Sequence, residues 1–309
     1  MKQNHTSPWR AIRPLLAGSP SRATRDWWIE AKQAGQSWWS RVHGYVYARW
    51  PYGYIGAAIG EKPQLARKRL FFAPFLAKAL FPQSWGESYH GKVLGTEQAT
   101  RLIQVQEMVD QIVPEQVIPF DTARHLVLVQ DQPIVALDCP CRLSRKNPCL
   151  PLDVCLVIGD PFASFILEHH PQRSRAITQQ EAVDILQAEA RRGHVHHAFF
   201  KDAMIERFYA ICNCCSCCCG AMSAHQHNVP MLISSGYVAH IDESSCQACG
   251  ACASICPFNA IKMDGKAQVD IEICMGCGVC ATHCPAGAIQ LSVDQSKPEP
   301  LYVPAQVAS

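Results

Sequence analysis

The sequence predicts an α+β protein in two main parts: a larger mixed helical and β domain rich in cysteine, then a small C-terminal unit duplicated within itself. Three observations predict it. Two cysteine runs of identical spacing lie 28 residues apart near the C-terminus. The repeat extends beyond the cysteines themselves. The stretch before them alternates helix-capping signals with short apolar runs. The expected boundaries are 1–95 for a basic, Trp-rich N-terminal region, 96–236 for the cysteine-rich domain, 237–293 for the duplicated unit and 294–309 for a tail.

The first run is Cys246-x2-Cys249-x2-Cys252-x3-Cys256-Pro257 and the second is Cys274-x2-Cys277-x2-Cys280-x3-Cys284-Pro285. That spacing suits cubane iron–sulfur ligation. Three thiolates within seven residues wrap three corners of one cube when the backbone loops tightly, and the fourth cysteine is carried by the following proline to the other cube. The expected ligands are therefore Cys246, Cys249, Cys252 and Cys284 for one cluster, and Cys274, Cys277, Cys280 and Cys256 for the other. Gly250, Gly276 and Gly278 lie between ligands, where a missing side chain lets backbone N–H groups turn toward sulfur. Zinc knuckles also use C-x2-C pairs, but they call for neither the third cysteine nor the closing proline.

A shift of 28 maps Asp242 onto Asp270, Ala260 onto Ala288 and Ile261 onto Ile289, as an internal duplication would. Residues 260–263, a tight turn at Asp264-Gly265 and residues 267–270 read as a hairpin. Residues 237–293 resemble the two-cluster bacterial ferredoxin fold, a duplicated β-hairpin and short helix. The resemblance implies two 4Fe–4S clusters.

The remaining length is too long and too apolar to be a linker, with 48% hydrophobic and 17% charged residues over the 309-residue chain. No run of 18 apolar residues occurs, and the N-terminus lacks the apolar core of a secretory signal. Eighteen cysteines without such a signal point to a reducing compartment, and the expected location is cytoplasmic. Residues 1–70 carry 12 basic residues against three acids (Asp26, Glu30 and Glu61), while the rest carries 16 basic against 23 acidic. All seven tryptophans lie at or before Trp85, from Trp9 through the pairs Trp27-Trp28 and Trp38-Trp39. Such a segment could meet a membrane surface or an acidic protein, or could be the core or lid of a basic subdomain. The absence of an amphipathic period favours the core or lid. Gly53, Gly56 and Gly60 meet neither the dinucleotide nor the phosphate-loop spacing, and no nucleic-acid module is recognisable.

In the middle, residues 96–113 read as one helix, capped by Thr96, stopped by Pro114 and striped by Leu102, Val105, Val109 and Ile112. Residues 126–129 and 134–137 read as a short two-stranded element. Thr178-Gln179-Gln180-Glu181 opens a second helix, with Val183, Ile185 and Leu186 inward and Gly193 just past its end. Ten further cysteines flank that helix: four between Cys139 and Cys155, and six between Cys212 and Cys219. Thiolates so dense repel one another unless a cation neutralises them. The expectation is a third centre, a further iron–sulfur cluster or a zinc ion, with candidates Cys139, Cys141, Cys149, Cys155, Cys212, Cys214 and Cys215, and Arg142 offsetting charge. The alternatives are a redox dithiol among Cys214, Cys215 and Cys217–Cys219, or plain buried thiols. His194, His196, His197, His225 and His227 read better as helix-end and packing residues than as ligands.

Cys139-Pro140-Cys141-Arg142, the segment Ile211 to Cys219 and the C-terminal runs together resemble a group of bacterial and archaeal 4Fe–4S binding proteins. That resemblance spans about residues 96 to 293 and implies cluster binding and electron transfer without a defined substrate. The leading expectation is an electron carrier serving redox partner proteins. The alternative is a reductase whose active site is the middle domain, fed by the C-terminal unit.

Overall fold

The computed structural model describes residues 21–59, 89–105, 108–113, 116–117 and 124–302. Trp9, Gly60, Trp85 and Pro114 lie outside the described residues. Three helices come first: α1 (Arg22–Gln33), α2 (Trp38–Arg49) and α3 (Pro51–Ala58). The Ser21 and Ser37 hydroxyls cap α1 and α2 by accepting from Thr24 N and Ser40 N. Gly53 and Gly56 are interior residues of α3.

Then follow β1 (Tyr89–Leu94), α4 (Thr96–Ile103), β2 (Val109–Val113), β3 (Arg124–Leu128), β4 (Ile134–Leu137), α5 (Pro140–Leu143) and β5 (Cys155–Ile158). The domain continues with α6 (Phe162–His169), β6 (Ser174–Ile177), α7 (Gln179–Arg191), β7 (Val195–Lys201), β8 (Arg207–Cys214), α8 (Gly220–Gln226) and β9 (Leu232–Ile233). Among the described residues these strands make one nine-stranded sheet, ordered β6-β4-β5-β8-β7-β1-β9, with β3 also meeting β8 and β2 pairing β3. Most neighbours are antiparallel; β1–β9 and the short β3–β8 contact are parallel.

The sheet is covered on both faces, and period-two alternation divides its side chains between two cores. Val135, Leu137, Cys155 and Val157 face one core, with Trp27, Trp28, Phe165 and Tyr209. Ile134, Ala136, Leu156 and Ile158 face the other, with Leu102, Leu186 and Leu301. Trp27 and Trp28 are buried, and Trp27 packs against Phe165 of α6 at 5.9 Å between ring centroids. Trp39 and Trp50 remain exposed. β1 lies on the N-terminal side of the boundary expected at residue 96, yet it sits between β7 and β9.

Two expected elements are corrected. The helix read over 96–113 ends at Ile103, and Val109–Val113 is strand β2, paired with β3 from Val109↔Leu128 to Val113↔Arg124. Apolar residues three and four apart fit a helix, but this short β-branched segment completes a ladder instead, and pairing outweighs a weak local preference. Gly95, not Thr96, is the cap residue; its N–H donates to Gln98 Oε1 at 3.0 Å, and Thr96 begins the helix. Likewise β3 and β4 do not pair: β3 joins β2, whereas β4 lies between β5 and β6. The helix opening at Thr178 stands where the sequence puts it, with Thr178 Oγ1 accepting from Glu181 N and Gly193 left-handed at φ 79°.

The C-terminal unit comprises β10 (Tyr237–Ile241), α9 (Ala251–Ile255), β11 (Ile261–Asp264), β12 (Lys266–Val269), α10 (Val279–Thr282) and β13 (Ile289–Val293). β10 pairs β13 and β11 pairs β12, both antiparallel. The unit docks on the larger domain through Met275 and Val279, which join the core of the first sheet face. Ile255 packs 3.1 Å from where a Cβ on Gly193 would stand. Beyond β13 the chain returns to the large sheet: Glu299 N donates to Gln116 O at 2.7 Å, and the buried Lys92 Nζ donates to Glu299 O at 2.7 Å. No helix among the described residues is long and apolar enough to cross a membrane.

Candidate metal centres

The backbone of the C-terminal unit repeats at the ligand loops. Left-handed residues recur 28 apart: Ala248 and Gly276, Gly250 and Gly278, Asn259 and Gly287. Gly276 has no alternative, because a Cβ there would stand 2.1 Å from Tyr237 O and 2.3 Å from Ser235 Oγ. Two small cavities result, each of about 20 Å³. Cys246, Cys249, Cys252 and Cys284 line the first. Cys256, Cys274, Cys277 and Cys280 line the second. The crossing cysteine of each cavity receives an equivalent backbone bond, Ala288 N to Cys284 Sγ and Ala260 N to Cys256 Sγ, both at 3.3 Å. Such N–H donors favour thiolate over thiol.

The cavities differ in depth. Cys249 is exposed, and N–H groups of Ala267 and Ala248 hold the Cys246 thiol below its usual value. At the second cavity, burial pushes the Cys280 thiol up to about 12. Four soft thiolates with N–H bonds and little free volume fit an iron–sulfur cubane at either place.

The ten cysteines of the larger domain separate into two groups. In the first, Cys149, Cys215, Cys217 and Cys218 have their sulfurs within 4.8 Å of one another. Cys149 Sγ is 2.9 Å from Cys217 Sγ, which is 3.6 Å from Cys218 Sγ. Burial alone would raise the exposed Cys217 thiol, but bonds from Cys149 and Cys218 bring it below its usual value. Cys149 is pushed up to about 11, first by its bond to Cys217. Only Cys149 and Cys215 of this group were among the candidates drawn from sequence. The density of Cys217 and Cys218 was the available signal, because their partner stands some 68 residues upstream in the loop after α5.

The second group contains Cys139, Cys141, Cys155, Cys212, Cys214 and Cys219. The C-x-C spacing on β8 puts Cys212 and Cys214 on one face of the strand, and Cys155 is the register partner of Cys212. Cys139 precedes α5, Cys141 lies in it, and Cys219 caps α8. The thiols touch in sequence: Cys212 to Cys155, Cys155 to Cys139, Cys139 to Cys141, Cys141 to Cys219, and Cys219 to Cys214 at 3.2 Å. All six line a cavity of about 430 Å³, whose other walls include Tyr47, Tyr54, Ile55, Phe199, Lys201 and Met231. Cys215 also reaches that wall.

Arg142 is fully buried between the two groups. Its Nη2 donates to Glu189 Oε2 at 2.6 Å and to Asn213 O at 3.1 Å, and Nη1 donates to Pro151 O. Burial would raise the Glu189 carboxyl, but hydrogen bonds from His194 and Arg142 hold it below the usual carboxylate value. The guanidinium is thus committed first to Glu189, and it acts on Cys215 through space. His196 bonds Asn213 Oδ1 through Nδ1 at 2.6 Å, and His227 Nδ1 bonds Ser223 O at 2.7 Å. His225 packs edge-on to Phe258, which follows Pro257.

A comparison with protein families places the C-terminal cavities in context. The family model described as a 4Fe-4S dicluster domain matches residues 245–288, which hold all eight cysteines of the two runs. The chain carries a ferredoxin-type iron–sulfur domain at that end. A comparison with curated proteins gave no match.

Proposed function

We propose that this chain is an iron–sulfur electron-transfer protein with two 4Fe–4S clusters in its C-terminal domain. Cys246, Cys249, Cys252 and Cys284 would hold one, and Cys274, Cys277, Cys280 and Cys256 the other. The observation that carries the reading is the lining of each cavity by three cysteines of one run and the closing cysteine of the other. A cubane supplies one-electron chemistry when bound. The eight cysteines would ligate the two clusters, with Ala260 N and Ala288 N donating to the sulfurs of Cys256 and Cys284. Exposed Cys249 marks the side at which a redox partner protein would approach.

A third centre would sit at Cys149, Cys215, Cys217 and Cys218. Four sulfurs about 2.3 Å from a single ion form a tetrahedron with edges of about 3.8 Å. The observed mutual spacing, within 4.8 Å, suits one zinc or iron ion. The cavity of about 430 Å³ favours a second reading, in which the larger domain reduces a small molecule using electrons from the C-terminal domain.

Metal analysis and EPR of protein purified without oxygen test the proposal. About eight irons and eight labile sulfides should be attributable to the C-terminal domain. A colourless preparation holding zinc at those eight cysteines would overturn it.

A further inference from the structure

We propose that Cys139, Cys141, Cys155, Cys212, Cys214 and Cys219 hold a polynuclear iron–sulfur cluster, separate from the four-sulfur site and from both C-terminal clusters. Its thiols belong to neither of those sites, and the sulfide count that tests it rests on the reading of two loaded C-terminal cubanes.

The number and layout of the sulfurs carry the argument. A single ion takes about four sulfurs, all mutual neighbours with separations near 3.8 Å. Among the described residues, Cys149, Cys215, Cys217 and Cys218 form such a set of mutual neighbours, all within 4.8 Å of one another. The other six instead follow one another around a wall, from Cys212 through Cys155, Cys139, Cys141 and Cys219 to Cys214. Six ligands spread around one cavity wall match several metal ions bridged together better than one ion.

Packing alone does not account for them. All six line one cavity and contact one another through their thiols. As bare thiolates they would repel one another, and Arg142 is already bonded to Glu189. Mutual contact and burial hold these thiols protonated while no cation is present, and bridged metal ions would supply the charge that lets them act as thiolate ligands. Backbone donors point the same way as in the C-terminal domain: Gly220 N lies 3.5 Å from Cys141 Sγ, and Arg142 and Met222 N–H groups face Cys139 and Cys219. Softness of the six ligands, with no carboxylate among them, selects iron–sulfur over harder metals.

Size and position agree. At about 430 Å³, the cavity is far larger than the two C-terminal ones of about 20 Å³, so it has room for a larger group and a small ligand beside it. Its cysteines Cys139, Cys155, Cys214 and Cys219 belong to the same apolar core as Met275 and Val279, with Cys277 of the second C-terminal site packed against it. One electron leaving the second C-terminal cluster would reduce the cavity cluster by one, with no bond made or broken.

Full-length protein, reconstituted with iron and sulfide without oxygen, is analysed for iron, zinc and acid-labile sulfide per chain. It is compared with Cys155→Ser/Cys212→Ser, Cys141→Ser/Cys219→Ser and Cys149→Ser/Cys217→Ser. The expected wild-type sulfide exceeds the roughly eight of two cubanes. The excess should survive Cys149→Ser/Cys217→Ser and disappear from the other two pairs, with a matching loss of iron. The second of those pairs lies at helix ends rather than inside the sheet, so a folding failure of the first leaves the test intact. A wild-type count of about eight sulfides, or an excess lost only with Cys149 and Cys217, would overturn the proposal.

Discussion

The C-terminal domain and the central sheet both gather cysteines, but they do so by opposite means. In the C-terminal domain the chain turns on itself within a few residues, and left-handed positions at Ala248, Gly250, Gly276 and Gly278 make those turns. Each small cavity then draws its sulfurs from two short runs of the same unit. In the larger domain the sulfurs come from β5, β8, the ends of α5 and α8 and the loop after α5, and pairing between strands brings them together. Local turns specify a site through spacing. A sheet specifies one through register, which spacing does not reveal.

The largest effect expected is the loss of a whole cluster. Cys256→Ser should remove about four irons, those of the second site, while the first site keeps its EPR signal. Iron lost from the first site alone would show that the runs do not cross. Next, Cys215→Ser with Cys218→Ser should release a single ion per chain and no labile sulfide, read by metal analysis; loss of sulfide would mean that the four-sulfur group holds a cluster.

Arg142→Met tests how far the larger domain relies on contacts across sequence. It leaves Glu189 buried, with Arg192 and His194 still bonded to it. Denaturant unfolding should show a loss of about 3 kcal/mol, the lower end for a broken buried pair. Gly276→Ala tests the local turns of the other domain. Its Cβ would meet Tyr237 O at 2.1 Å, so at least about 2 kcal/mol should be lost; an unchanged midpoint would show that this loop yields easily.

The smallest effect concerns pH. Burial lowers His43 and His196 to about 4, from the usual 6.5. Between those values the unfolded chain binds more protons, so stability is full above pH 6.5 and falls as pH drops toward 4. Each histidine contributes a slope of at most about 1.4 kcal/mol per pH unit. Thermal melts of His196→Gln should show a shallower slope than wild type, and an equal slope would remove that histidine from the account.

Much of this architecture was legible beforehand where chemistry was local. The helix from Thr178 to Gly193 follows its capping signals, since a hydroxyl three residues before a free N–H needs no tertiary partner. Val109–Val113 misled because its apolar spacing fits helix and strand alike, and only pairing with β3 decides between them. The N-terminal tryptophans were open between surface and core; Trp27 and Trp28 are buried against α6 and its surroundings, whereas Trp39 stays exposed. Arg142 was legible as a residue near sulfur, but its commitment to Glu189, 47 positions away, was not.

By itself, the sequence determined which eight thiols meet at the two C-terminal cavities, because a repeat of fixed spacing leaves the backbone one way to turn between them. It also determined that ten more thiols must find company somewhere in the larger domain. How those ten divide, four at one point and six along a cavity wall, was decided by tertiary structure alone. The reason is geometric: neighbours such as Cys149 and Cys217, or Cys155 and Cys212, are adjacent only after the sheet has set its register.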